Sequence, residues 1–493
     1  MFASSSKGKL LKHLAEGAST YGFAVVASRL CTFILLPIYW KYLSPADFGI
    51  IGIITLTQGF LVPLLGLGLH DTVQRFYPEW NENQRRERLG LTWTAIFIWS
   101  LLLCSALTLE HKLFNLIFEK VASSPYFLLG IWSAFCMTFV SLPLSVMRIK
   151  AEIKQFSFIT AAVLLTQSVF SLFFVVVLSW GAIGYLSGGL LGALIWAIKL
   201  NITYWKEATL TKSLHNFKEL LTYSLPMVPT TILDGTTSLF DRFFLDKHVS
   251  LTTIGLYNVA NQLSSALTIL NQGLKSAWIP FLYRIMHDRK DAPHLLGLFS
   301  LYYVAILVPP ALLIALLSKD IIGLFDSRYL GCYIFVPWII LTIYLQAITT
   351  AMGRGLDLAK KNGLWPVISI AQVSVSLAAL SYFVPLYGAI GAAWSVTIAT
   401  AVRALCQITL ANKVYPRPLY GTKLLMLWGS SLLVYWLGMQ IISFSPAISI
   451  ALKTGLVLIF CLYLVSIILD KADRQQLLKL IKQRFQTSCA ASK

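Results

Sequence analysis

The sequence predicts an all-α integral membrane protein with about 14 transmembrane helices. Charged residues make up 12% of the chain, about half the share of roughly 25% found in soluble domains, and the mean hydropathy is +0.71. Many separate apolar stretches reach about 20 residues, the length that crosses the hydrocarbon core of a bilayer. They form two similar sets of six, followed by two more.

The first half begins with residues 1–20, a basic segment whose leucines share one helical face, as in helices that lie on a membrane surface. A six-helix bundle then occupies residues 21–204, and a polar linker with three lysines, 205–219, separates it from the rest. The six spans are expected near residues 21–41, 47–69, 89–109, 126–147, 156–178 and 182–204.

The second half repeats this plan in a bundle over residues 220–412. Two additional spans follow within 413–470, and the tail 471–493 is basic and amphipathic, which places it in the cytoplasm by the charge argument below. The six spans of the second bundle are expected near residues 220–245, 251–273, 296–317, 332–352, 364–384 and 387–411.

Loops on alternate sides of the membrane differ in their Lys and Arg content. The set that includes the N-terminus carries about 29 basic residues, and the other set carries about six. Because basic loops stay on the cytoplasmic side, we expect both termini to be cytoplasmic. Asp71, Arg75 and Lys275 then lie at a cytoplasmic mouth.

The two halves are related by an offset of about 205–207 residues. An even number of spans in each half predicts a parallel repeat about an axis along the membrane normal, with a binding site between the bundles. The alternative is a duplication without a site at the interface. The matching features are Phe48-Gly49 with Ile254-Gly255, Gly68-Leu69 with Gly273-Leu274, Arg148 with Arg354, Lys154 with Lys360, and Gly181-Ala-Ile-Gly184 with Gly388-Ala-Ile-Gly391.

Several charged residues lie inside predicted spans, where charge is costly and commonly functional. Arg29 is in span one, and span seven or its end carries Asp234, the adjacent pair Asp241-Arg242, and Asp246. The functional interpretation is a positively charged cavity for an anionic group, lined by Arg29 and the Asp241-Arg242 pair, with an acid such as Asp234 or Asp246 carrying a coupling H⁺ or Na⁺. The structural alternative is that these residues form internal ion pairs that fix helix packing. The structural interpretation is preferred for three further residues, Lys199, Arg403 and Lys453.

Motifs for enzymatic or metal chemistry are missing from the sequence. It has no Walker A loop, H-E-x-x-H, G-x-S-x-G or acidic D-x-D pair, and most of its seven cysteines lie inside apolar runs. The net charge of +19 comes from short clusters between apolar runs, which is typical of topology determinants and not of nucleic-acid binding. We therefore expect no enzyme, no metal site and no cofactor apart from a coupling ion.

Short motifs follow one another in an order that resembles a known family. They are Pro37-Ile-Tyr39, Leu43-Ser-Pro45, Phe48-Gly49, Gly66-Leu-Gly68 and Arg75-Phe-Tyr77 in the first half, then Pro226, Pro229, Asp241-Arg242, Gly255-Leu-Tyr257 and Trp278-Ile-Pro280. Over about residues 15–415 the chain resembles the polysaccharide biosynthesis proteins. These are the O-antigen or oligosaccharide flippases of the multidrug/oligosaccharidyl-lipid/polysaccharide (MOP) superfamily, to which the MATE exporters also belong.

This resemblance implies a V-shaped pair of six-helix bundles in a bacterial or archaeal plasma membrane. It implies transport of a polyprenyl-diphosphate-linked oligosaccharide to the outer leaflet by alternating access, beside a glycan polymerase and glycosyltransferases. Arg29 and the Asp241-Arg242 pair match the family's pattern, which suggests contact with the diphosphate or acidic sugars.

Two other functions stay open. An ion-coupled multidrug exporter of the same superfamily would prefer an acidic cavity for cationic drugs, and Arg29 disfavours it. A membrane-bound glycan polymerase or ligase would need a long outer loop with catalytic groups, and the predicted outer loops are no longer than about 15 residues, a length typical of ordinary connections.

Overall fold

The computed structural model describes residues 35–150, 152–206, 209, 218, 220–222, 224–225, 239–288, 292–358, 364–441 and 445–468. Within these ranges the regular secondary structure is entirely helical. The first half contains a helical segment at 35–42, then α1 (Pro45–Gly66), α2 (Leu69–Phe76), α3 (Glu82–Leu109), α4 (Leu128–Ile149), α5 (Ile153–Leu172) and α6 (Gly181–Trp205). The second half contains a helical segment at 239–248, then α7 (Leu251–Asp288), α8 (Ala292–Phe325), α9 (Val336–Met352) and α10 (Trp365–Val414). Two helices follow, α11 (Gly421–Met439) and α12 (Pro446–Ile468).

Eight helices in the described part of the chain are long and apolar enough to cross a membrane. The bent pair Ser327–Ile334 and α9, with 49° between its parts, is a ninth if it counts as one span. α10 covers predicted spans eleven and twelve in 50 residues, with non-helical backbone at Gly388. The all-α membrane fold is therefore confirmed. The count of 14 stays a prediction. Spans one and seven lie largely outside the described residues, as do segment 1–20, most of the linker and the tail 471–493, and the described helices α7 and α11 are not among the eight.

The start of α1 is determined by local sequence. The Ser44 hydroxyl accepts a hydrogen bond from the Asp47 backbone N–H, and the Asp47 carboxylate accepts one from the Ser44 backbone N–H. Pro45 occupies the first turn, where its missing N–H costs nothing. This capping box satisfies backbone groups that would otherwise be left without partners at the helix terminus.

The predicted repeat is visible in the backbone at two matching glycines. Gly181 starts α6 with φ 55°, and Gly388 has φ 60° at the break in α10. A side chain disfavours this left-handed conformation. The two identical Gly-Ala-Ile-Gly motifs therefore perform the same task, which is to begin the last span of each half.

The two halves meet where α1 and α7 begin, at Gly49 and Gly255. A Cβ atom on Gly49 would lie 2.4 Å from the Leu251 carbonyl oxygen, and one on Gly255 would lie 1.6 Å from the Pro45 carbonyl oxygen. The two contacts are reciprocal, because Gly49 corresponds to Gly255 and Pro45 corresponds to Leu251 at the offset of the repeat. This reciprocal approach is the geometry expected of two parallel repeats about a two-fold axis, and it requires glycine on both helices.

The two C-terminal helices pack against the second half. α12 and α11 both contact α8, and the Lys453 ammonium of α12 donates to the Asp320 carboxylate of α8 over 2.5 Å. An apolar cavity of about 640 Å³ lies between α8, α9 and α11 and is lined by aromatic residues that include Trp338, Tyr344 and Trp428. The ion pair between Lys453 and Asp320 agrees with the structural role predicted for Lys453.

Candidate functional site

α1 and α7 are in contact at their N-terminal ends and separate further along. A Cβ atom on Gly52 would lie 2.7 Å from the Asn258 side chain, whereas one on Gly59 or Gly273 would have no heavy atom of the described structure within 4 Å. Gly59 follows Gly52 by two helical turns, and Gly273 follows Gly255 by five, so each lies on the same helix face as its predecessor. Among the described residues, the facing sides of α1 and α7 therefore border an open space, which we name the cleft.

Burial along α1 shows the same change. Residues 48–54 are all buried, whereas Thr55 and Gly59 are exposed. The cleft is thus closed at the end where Gly49 meets Gly255, which we name the closed end, and it widens toward the other end. By the Lys/Arg distribution, the closed end is predicted to face outward.

Gln262 is a polar residue on the cleft side of α7. It lies seven positions after Gly255, two helical turns along the same face. Its side-chain Oε1 is buried and has no hydrogen-bond partner in the described structure. Asn258, one turn nearer the closed end, instead donates to the Phe48 carbonyl across the interface over 3.0 Å. Asn258 therefore links the halves, while the Oε1 of Gln262 is a buried acceptor without a partner among the described residues.

The Asp241-Arg242 pair lies in the interior of the second half. The Arg242 guanidinium contacts the Asp241 carboxylate at 3.3 Å and lies 4.6 Å from the centroid of the Tyr257 ring. Tyr257 in turn packs edge-on against Phe335 at the start of α9. This placement corresponds to the ion-pair alternative of the sequence analysis, so substrate contact by the pair stays a prediction.

Residues predicted at the cytoplasmic mouth lie at the end of the molecule opposite the closed end. Arg75 is on α2, immediately beyond α1, where it is exposed and pairs with Glu79 one turn on. Asp71 is on the same helix. Lys275 lies in the C-terminal part of α7 and is partly exposed, and its partial burial together with the positive charge of Arg354 lowers its pKa. It is turned about 200° from Gly255 around α7, so it lies outside the cleft face.

The candidate acids for ion coupling have different outcomes. Asp246 is at the closed end, where its carboxylate accepts hydrogen bonds from the backbone N–H groups of Glu119, over 2.6 Å, and Lys120, over 3.3 Å. It therefore joins the two halves, and a role in ion coupling stays a prediction. Arg29 and Asp234 lie outside the described residues, so their roles stay predictions too.

Sequence reasoning missed several residues that join the halves. Lys120 donates to carbonyl groups at the end of segment 239–248, and Arg328 donates to carbonyl groups at the end of segment 35–42. The Tyr329 hydroxyl donates to the Leu43 carbonyl over 2.7 Å. A weak signal was present, because Lys120 and Arg328 are 208 positions apart, close to the offset of the repeat.

Comparison with known proteins gives matches at the level of family and of fold. A family model described as "Polysaccharide biosynthesis protein" matches residues 41–333. Lsg locus putative protein 1 of Haemophilus influenzae is 22% identical over 399 residues, which are 74% of this chain and 92% of that protein.

Solved transporter structures share the fold. The lipid II flippase MurJ, in an inward closed conformation, has a TM-score of 0.74 and 16% identity, and the match covers 90% of this chain and 98% of that one. The MATE transporter VcmN of Vibrio cholerae has a TM-score of 0.59 and 13% identity, and the match covers 82% and 97%. Since the family model spans more than half of the 493 residues, this multi-pass membrane protein belongs to the polysaccharide biosynthesis protein family.

Proposed function

We propose that the protein moves a polyprenyl-diphosphate-linked oligosaccharide from the cytoplasmic to the outer leaflet of the plasma membrane. The observation that carries the proposal is a pair of repeat-related halves that meet at one end and border a cleft that widens toward the other. Membership of a polysaccharide biosynthesis family supports a glycan substrate, and the fold shared with a lipid II flippase supports a lipid-linked one. The chain acts as a transporter and not as an enzyme.

In the proposed mechanism the glycan enters the cleft from the cytoplasmic side, where both termini also lie. Arg29 meets the diphosphate, and the Oε1 of Gln262 accepts a hydrogen bond from a sugar hydroxyl. The lipid tail stays in the bilayer. The closed end then opens while the cytoplasmic end closes, driven by substrate supply or by an H⁺ or Na⁺ gradient. Glycosyltransferases supply the substrate, and a glycan polymerase consumes it.

Translocation by purified protein tests this function. Proteoliposomes with a fluorescent polyprenyl-diphosphate oligosaccharide in one leaflet should expose it in the other, as measured by access of a membrane-impermeant quencher. Arg29→Ala should slow this exchange and reduce glycan export in cells. No exchange with any polyprenyl-linked sugar, together with normal export by Arg29→Ala cells, would contradict both the function and the site. Drug resistance conferred on an exporter-deficient strain would favour the multidrug alternative.

Gln262→Leu is expected to lower the translocation rate about twofold to thirteenfold. The substitution keeps the approximate size of the side chain and removes the buried Oε1 acceptor. A hydrogen bond of this kind is worth about 0.5–1.5 kcal/mol, which corresponds to that range of rates if the bond forms in the rate-limiting state. Quencher access in proteoliposomes measures the effect.

The matched control is Gln272→Leu. Gln272 is exposed on the same helix and is turned about 100° from Gly255, away from the cleft face. It should translocate at the wild-type rate. Equal rates for both variants would show that Gln262 is not part of the binding site.

A further inference from the structure

We infer that the closed end is locked by two reciprocal cation caps, each formed by a cation of one half on the C-terminal carbonyl groups of a helix in the other half. Lys120 of the first half caps segment 239–248, and Arg328 of the second half caps segment 35–42. The inference rests on the proposed transport cycle, because an outward-opening step has to break both caps.

The first cap is built on Lys120. Its ammonium donates to the Asp246 carbonyl and, over 2.8 Å, to the Val249 carbonyl. The backbone N–H groups of Glu119 and Lys120 donate in turn to the Asp246 carboxylate, which is completely buried. The loop after α3 is thereby held at four points by the end of a single helical segment in the other half.

The second cap is built on Arg328. One guanidinium nitrogen donates to the Trp40 carbonyl over 2.8 Å and to the Lys41 carbonyl over 3.1 Å. Asp326 holds the guanidinium in place through both carboxylate oxygens, and these hydrogen bonds from Arg328 hold the pKa of Asp326 below its usual range.

Tyr329 adds apolar contact next to the second cap. It is completely buried, its ring stacks on Trp40 with 5.9 Å between centroids, and its hydroxyl donates to the Leu43 carbonyl. Charge, hydrogen bonds and aromatic packing therefore act on the same helix end.

The two caps occupy equivalent places in the repeat. Trp40 and Asp246, whose carbonyls accept from the cations, are 206 positions apart, as are Leu43 and Val249 and the contacting glycines Gly49 and Gly255. The C-terminus of a helix carries partial negative charge and unpaired carbonyl groups, so a cation from the opposite half stabilises contact between the halves. Each half thus supplies a helix end and receives a cation, and the closure is symmetric.

Separation at the closed end leaves both helix ends without their cations. The caps therefore stabilise the outward-closed conformation specifically, and their loss shifts the equilibrium toward the outward-open one. Lys120→Met and Arg328→Leu remove the charges and keep most of the apolar stem of each side chain.

The test measures access to the cleft from outside, without any substrate. Ala266→Cys places a thiol three turns beyond Gly255 on the same face of α7, and whole cells are treated with a membrane-impermeant thiol reagent. The chain without Ala266→Cys gives the background from native cysteines. Each cap variant should label about threefold to thirtyfold faster than the reporter alone, as expected for a charge at a helix C-terminus, and the double variant should label faster still.

Lys112→Met is the matched control. Lys112 is exposed in the same outer loop as Lys120, so this variant should label at the reporter's rate, and the conservative changes Lys120→Arg and Arg328→Lys should retain most of the closure. Unchanged labelling in the double variant, or an equal rise in Lys112→Met, would overturn the inference. Because labelling needs no glycan, failure of the caps is distinguishable from failure of the proposed substrate.

Discussion

Gly255→Ala is expected to prevent the two halves from meeting and to reduce glycan translocation at least about tenfold. The added Cβ atom would lie 1.6 Å from the Pro45 carbonyl oxygen and 3.0 Å from the Gly49 backbone nitrogen. Both obstacles are backbone atoms, and no side-chain rotation relieves them. Overpacking of this kind costs roughly 1–3 kcal/mol in ordinary cores. Here the clash is removed only if α1 separates from α7. Outward access to the Ala266→Cys thiol should therefore rise.

Gly189→Ala is the matched control, because Gly189 is also inside a helix but has open space where a Cβ atom would stand. Alanine is favoured over glycine in helix interiors by up to about 1 kcal/mol, so the thermal unfolding midpoint in detergent should stay the same or rise. If Gly255→Ala keeps both the unfolding midpoint and the translocation rate of the wild type, the halves do not approach as closely as the structure indicates.

The repeat was the part of the fold that the sequence predicted best. Glycine is needed both where φ is positive, at Gly181 and Gly388, and where two backbones approach, at Gly49 and Gly255. Because these requirements are local and strict, they leave the same residue at the same position of each half. The boundary between α5 and α6 was predictable for a similar reason, since a short turn at 178–180 separates two long apolar runs.

Contacts between the halves could not be predicted. Arg328 reaches carbonyl groups nearly 290 positions away, and neither hydropathy nor spacing indicates which helix end a loop cation will approach. Asp241-Arg242 illustrates a related difficulty. Lipid and protein interior are both apolar, so hydropathy does not distinguish the sides of a transmembrane helix. The sequence therefore allowed both a cavity and an internal ion pair for these residues, and the structure places Arg242 beside Tyr257.

Lys453→Met is expected to destabilise the protein by about 3–5 kcal/mol, the cost of removing one partner from a buried ion pair. Lys453 on α12 is 1% exposed, and its ammonium is 2.5 Å from the Asp320 carboxylate on α8. Without the lysine, the Asp320 carboxylate lies without a counter-ion in surroundings that solvate it poorly. Separation of α12 from α8 would expose this carboxylate to solvent, which favours detachment of α12. Thermal and denaturant unfolding in detergent should show the loss.

The double variant Asp320→Leu, Lys453→Met should recover most of that stability, because two apolar side chains pack at this interface without leaving a charge. Replacement of a whole buried pair is often nearly neutral even where each single change is severe. Lys413→Met, at an exposed position near the end of α10, controls for the loss of one lysine and should stay within about 0.5 kcal/mol of the wild type. If the double variant is as unstable as the sum of its singles, the pair does not act as a unit. The attachment of α12 would then depend on packing and not on this charge pair.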